Sequence, residues 1–174
     1  MPAFTIRPEG PDDAAEIRTA VVAAFGTEAE GDLVDNIRAS QHYIPELSLV
    51  AVQDGHVVGH VMISRVHLVD GDHRIAVHSL APLAVAPEAQ GAGIGKALVR
   101  DVIARADAMG LPLVLLEGSP RYYGNLGFEH SVNYGIHFDL PDWAPPEAAQ
   151  LYRLANFDPS ITGRVEYPPA FDVE

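Results

Sequence analysis

The chain has 174 residues, 48% of them hydrophobic, and a formal charge of −13, which is the profile of one folded domain with a real core and not of a disordered polymer. Its arginines are scattered and Lys96 is its only lysine, so it lacks the basic patch that nucleic acid or an anionic membrane surface requires. Cysteine is absent, which excludes disulfides, thiolate nucleophiles and cysteine-held metals, and no apolar run or N-terminal leader predicts a membrane span or secretion.

The expectation is therefore a single cytoplasmic domain over residues 1–174. Phe4-Thr5-Ile6-Arg7 alternates and predicts a first strand. Pro11, Asp12 and Asp13 then offer a helix start, and Ile17, Ala20, Val21 and Ala24 recur at helical spacing up to Gly26. A second helix is expected over Glu28–Arg38, with Leu33, Val34 and Ile37 on its face. Polar residues around these helices, including Thr27, Glu28, Glu30, His42 and Tyr43, are positioned to overhang a site or to be plain solvated surface.

Leu47–Val52, Val57–Val66 and Arg74–Val85 read as an antiparallel meander, turned at Asp54-Gly55 and at Asp70-Gly71-Asp72. The stripe Ile94, Leu98, Val102, Ala106 and Met109 predicts an amphipathic helix closed by Gly110. Pro112–Glu117 holds an unalternating apolar run, as in a strand buried on both faces and parallel to its predecessor. Pro120 opens a short helix that Gly127 ends. Beyond it the pattern predicts a strand over Tyr134–Leu140, a proline-rich loop around Trp143, a short helix over Glu147–Leu154 and a last strand over Gly163–Tyr167.

The chemistry concentrates at Leu80–Ala97. An apolar strand ends at Pro87, and Gln90-Gly91-Ala92-Gly93-Ile94-Gly95-Lys96 turns into the helix. A helix start leaves amide N–H groups without partners at the positive end of its dipole, and glycines let a ligand approach the backbone. The segment is thus an anion cradle. A triphosphate P-loop needs a hydroxyl where Ala97 stands, and the alternating Gly91, Gly93 and Gly95 do not match a dinucleotide fingerprint either.

Gln90-x-x-Gly93-x-Gly95 after the strand L-A-P-L-A-V, together with Y-G-N-L-G-F over 123–128, resembles the GCN5-related N-acetyltransferases (the GNAT family). The string from His78 to Leu98, S-P-R-Y-Y-G-N-L-G-F and the C-terminal G-R-V-E-Y-P-P-A-F are similar to its YhbS-like branch. The resemblance implies an α/β fold with a mixed, partly splayed central sheet and helices on both faces. It also implies acetyl-CoA as acyl donor with no metal. The acceptor would be an amine on a small molecule, peptide or protein, and the chain would be a possible homodimer.

In that family the coenzyme enters where two central strands separate. Carried over, the backbones of Leu83, Ala84 and Val85 would meet the acetyl carbonyl and pantetheine. Gln90, Gly91, Ala92, Gly93, Ile94, Gly95 and Lys96 would wrap the pyrophosphate, and Tyr123 would donate to the leaving sulfur. The family's asparagine before this tyrosine is replaced by Glu117-Gly118-Ser119-Pro120, where Ser119 is the candidate substitute. Tyr122 would point elsewhere in a helix.

A base must free the amine lone pair, and Glu117, His78 and Glu30 are the candidates. His56, His60, His67 and His73 have no metal-ligand spacing, and no nucleophile elbow surrounds Ser79 or Ser119. Direct transfer to the amine follows. An acyl-CoA-binding regulatory or interaction module without turnover is the alternative reading.

Overall fold

The computed structural model describes residues 3–173; Met1, Pro2 and Glu174 lie outside the described residues. In chain order the elements are β1 (Thr5–Pro8), α1 (Ala14–Phe25), α2 (Ala29–Arg38), β2 (Ser48–Gln53), β3 (His56–Asp70), β4 (His73–Val85) and α3 (Ile94–Ala108). Then follow β5 (Leu113–Glu117), α4 (Pro120–Gly124), β6 (Glu129–His130), β7 (Ile136–His137), β8 (Ala149–Arg153) and β9 (Gly163–Glu166). The strands form one mixed sheet in the order β1-β2-β3-β4-β5-β8-β6, with β9 pairing β3 and β7.

Alternation along the strands sorts the side chains into two layers. Leu49, Ala51, Val61 and Ile63 pack against Ile94, Leu98, Val102 and Ala106 of α3 on one face. Val50, Met62 and Ala84 pack against Ile17 and Val21 of α1 and Leu33, Val34 and Ile37 of α2 on the other. Gly59 permits the close approach of α3, since a Cβ there would stand 3.1 Å from Leu98 and 3.2 Å from Ile94. The layered arrangement is the α/β fold with helices on both faces that the sequence implied.

The meander β2-β3-β4 is antiparallel throughout. Val61 pairs with Leu83 and Ile63 with Leu80, so Ala81 and Pro82 together oppose Met62, a bulge. It shifts the parity of β4, and Leu83 and Val85 thereby come to the α3 side along with Leu80. Strand β4 touches β5 in parallel at a single registered pair, Ser79 with Leu115. Beyond that rung the two strands part.

Two sequence expectations fail downstream. Residues 134–140 contribute only the two-residue β7, because Ser131–Tyr134 turn as a 3-10 helix and Gly135 takes a left-handed φ of 76°. Residues 147–154 are not a helix. After a short 3-10 turn, Pro146–Ala148, they form β8, which pairs antiparallel with β5 from Leu113–Arg153 to Glu117–Ala149. The reason is tertiary: β5 leaves β4 after one rung and must satisfy its other edge, and that demand overrides local helical preference.

Candidate active site

Backbone geometry at the strand split follows from one hydrogen bond. The Ala86 N–H donates to the Val58 carbonyl at 2.8 Å, so Ala86 and, two residues back, Ala84 turn their polar groups toward β3. Leu83 and Val85 therefore turn theirs toward β5, where no strand receives them. The Gln90 side chain donates to the Val85 carbonyl at 3.0 Å, which anchors the loop to the end of β4.

Below the split, Gly91 and Gly93 hold φ of 85° and 83°, the left-handed region that favours glycine. Gly93 is the N-cap of α3, and the first intrahelical bond runs from the Ala97 N–H to the Gly93 carbonyl. The amides of Ile94, Gly95 and Lys96 thus stand outside the helical ladder at its positive end. Leu83, Val85, Gln90, Gly91, Gly93, Gly95 and Lys96 line one cleft of about 460 Å³, with Tyr122 as its far wall. A Cβ on Gly95 would lie 2.8 Å from the Tyr122 phenol oxygen and 3.6 Å from Val85, so the missing side chain is the room in the cleft.

Gln90, Gly91, Gly93, Gly95 and Lys96 line the cleft together, whereas Ala92 is not among its lining residues and packs against the core. Ile94 is 1% exposed and buries its side chain in the core, so it brings only its amide. Ala84 is a correction: its main chain belongs to the β3 ladder and its side chain to the α1/α2 layer. Ser119 is another. Its hydroxyl caps α4, accepting from the Tyr122 N–H at 3.2 Å, and it faces a different cavity from the glycine loop.

Tyr122 does not point elsewhere, as helical spacing predicts, but lines the cleft. The serine cap holds this five-residue helix so that Tyr122 lines the cleft, while Tyr123 is not among the lining residues and packs against the α3 core layer. Tyr123 sits behind it, edge-on to Tyr122 at 4.9 Å and to Phe128 at 5.6 Å, with its ring close enough to forbid a Cβ on Gly118. Burial, and secondarily Tyr122, pushes the Tyr123 phenol up to about 12. It holds its proton at any physiological pH.

The three candidate bases separate. Glu117 ends β5 beyond the rung with β4, and its Oε2 accepts a 2.5 Å hydrogen bond from the Tyr167 phenol. His78 lies on the other side of that rung, five strand positions or about 15 Å of strand from Leu83. Burial, reinforced by Arg65, lowers its pKa to about 4, so the near-neutral base expected of it is not present. Glu30 is half-buried in the first turn of α2, and burial holds it above the usual carboxylate range. The other polar overhang is committed elsewhere: Glu28 to Arg18 at 2.6 Å, His42 to an edge contact with His67.

The family model of the acetyltransferase (GNAT) domain matches residues 5–131. The chain belongs to the GNAT acetyltransferase family. The GNAT relative YjhQ of Escherichia coli, an uncharacterized N-acetyltransferase, is 38% identical over 142 residues, covering 80% of this chain and 78% of its own. The crystal structure of YhbS from Escherichia coli in complex with CoA superposes with a TM-score of 0.87 at 30% identity, covering 99% of this chain and 93% of that one. A GNAT acetyltransferase from Brucella melitensis in complex with acetyl-CoA gives 0.79 at 32% identity, covering 99% and 100%. GNAT membership carries the reaction class, acetyl-CoA-dependent N-acetyl transfer.

Among the described residues no cluster of His, Asp or Glu is arranged to hold a metal, and no helix is long and apolar enough to cross a membrane.

Proposed function

We propose that this GNAT domain moves the acetyl group of acetyl-CoA directly onto an amine at the split between β4 and β5. One observation carries the reading: the polar backbone groups of Leu83 and Val85 face a gap that continues into the glycine-lined cleft. An acyl thioester on a diphosphate carrier supplies the activated acetyl group, and the cleft suits its two ends. The amides of Ile94, Gly95 and Lys96, with the Lys96 ammonium, receive the diphosphate. The Val85 N–H meets an amide of the carrier arm, as one strand edge meets another. The Leu83 N–H holds the thioester carbonyl and the charge that grows on its oxygen.

Glu117 takes a proton from the acceptor ammonium, which frees the lone pair. The amine nitrogen then forms the C–N bond as the C–S bond breaks, and the second proton that this nitrogen sheds goes to the departing thiolate, which leaves as the free thiol. Tyr123 stands at the end of β5, and its phenol donates a hydrogen bond to the departing sulfur. With its pKa near 12 it keeps its proton, so its contribution is charge stabilisation by a hydrogen bond and not complete proton transfer. Tyr122, against Gly95, contacts the carrier arm as wall.

The test is calorimetric binding of acetyl-CoA and CoA without metal, followed by thiol release with mixed primary amines. Binding with acceptor-dependent thiol release supports the transferase. Absence of binding refutes the coenzyme cleft, and binding with no release across the panel refutes turnover.

A further inference from the structure

Across the sheet from the glycine loop lies a second cavity, of about 350 Å³, which the reaction above reaches only through the Glu117 carboxylate. On β5, Val114 and Leu116 pack into the α3 layer, whereas Leu113 and Leu115 pack into the opposite one. Glu117 continues the second series, and its partner Tyr167 packs in that same layer. A group entering the split from the α3 side therefore meets, on the far side, a cavity headed by this carboxylate.

The cavity wall is almost entirely carbon. Ser119 and Pro120 form one side and Trp143, Pro145 and Ala148 the other, and the Ser119 hydroxyl is spent on its helix cap. The proline loop is built and tied: Ala144 N–H donates to Pro141, Ala148 N–H to Pro145, and Gly118 N–H to the Ala148 carbonyl, each at 3.0 Å. Trp143 is 85% exposed, a large apolar ring held at the mouth by its loop. Tyr167 anchors Oε2 of Glu117, leaving Oε1 for a ligand. Among the described residues no Arg or Lys pairs with Glu117.

We infer that this cavity is the acceptor subsite, and that it selects a primary amine on an aryl or alkyl skeleton over a polyhydroxylated or polycationic one. The inference rests on the transferase reading. A carboxylate at the head of an apolar cavity is matched by an ammonium on an apolar body. Hydroxyls or further ammonium groups would lose water there and find no partner. The negative average charge of the chain draws the cation in, and the carbon walls with Trp143 choose its body.

Trp143 is the only tryptophan in the sequence, so fluorescence excited selectively beyond the tyrosine absorption band reports on this cavity. Titration with 2-phenylethylamine should give a saturable blue shift. The affinity should fall at least tenfold in Glu117→Gln and, for wild type, with the uncharged 3-phenylpropan-1-ol. Glucosamine and spermidine should give no saturable shift. In steady-state turnover, Trp143→Ala should raise KM for 2-phenylethylamine and leave acetyl-CoA affinity unchanged.

No saturable shift with 2-phenylethylamine, or equal binding of the alcohol, overturns the subsite. Acetyl-CoA binding is measured calorimetrically on the same preparation. A protein that binds acetyl-CoA but shows no shift refutes the subsite alone. One that shows the shift but does not bind acetyl-CoA refutes the transferase reading.

Discussion

Replacing Gly95 with alanine separates folding from binding. Gly95 is the second residue of α3 and has no left-handed φ, so alanine fits its backbone. Helix propensity favours alanine by up to about 1 kcal/mol, less near a terminus. The new methyl would meet the Tyr122 oxygen at 2.8 Å, the far end of a side chain that can swing aside by a few tenths of an ångström. Folding stability should therefore stay level or rise slightly.

Binding should not. The methyl occupies the cleft between Tyr122 and Val85 and holds a diphosphate off the amides of Gly95 and Lys96. Loss of one hydrogen bond to a charged group costs about 1.5–3 kcal/mol, which is a ten- to hundredfold rise in the Kd for CoA. Calorimetry gives the Kd and thermal unfolding gives the stability. Gly124→Ala is the control, since nothing lies within 4 Å of its added Cβ and its φ is ordinary. An unchanged CoA affinity in Gly95→Ala, with Tm retained, would refute the placement of the diphosphate.

The two adjacent tyrosines should divide kinetically. Tyr123→Phe should lower kcat by about tenfold or more with little change in KM for acetyl-CoA, whereas Tyr122→Phe should act chiefly on that KM; an unaltered kcat in Tyr123→Phe removes its role at sulfur. His60 is fully buried, donates its Nδ1–H to the Leu49 carbonyl at 2.9 Å, and has its pKa lowered to about 4, chiefly by burial. A lowered histidine pKa favours the neutral folded form. Its stabilisation is complete above the unfolded value near 6.5 and is lost as pH falls from there toward 4, about 3 kcal/mol in all. Unfolding against pH should show that slope together with the one His78 adds in the same window, and His60→Leu should remove the His60 share while His78 keeps the rest. Gly163→Ala should destabilise by about 2 kcal/mol or more, read as a fall in Tm. Its φ is 141° and the added Cβ would stand 2.7 Å from the Val69 carbonyl oxygen, a backbone atom of β3 that cannot move aside cheaply.

Local chemistry made the phosphate loop readable. Gly91, Gly93 and the helix start at Ile94 are fixed by φ and by amide geometry within a few residues, so their spacing carries the meaning. The meander was readable for the same reason, with turns at Asp54-Gly55 and Gly71 set by their own residues. The C-terminal third was not. Ala149–Arg153 has a composition that a helix accepts, and becomes strand because β5 offers it a vacant edge.

The sequence by itself determined the meander, the α3 stripe, the anion cradle and the family, because periodicity and glycine conformation are local properties. Tertiary structure alone decided which groups face the site. The bulge at Ala81-Pro82 turns Leu83 and Val85 toward the gap and commits Ala84 to β3. The single Ser79–Leu115 rung puts Glu117 beyond the split and His78 behind it, and the serine cap of α4 brings Tyr122 to the cleft. One rung of register or one residue of bulge reverses which face a side chain takes, and that choice is made by strands distant in sequence.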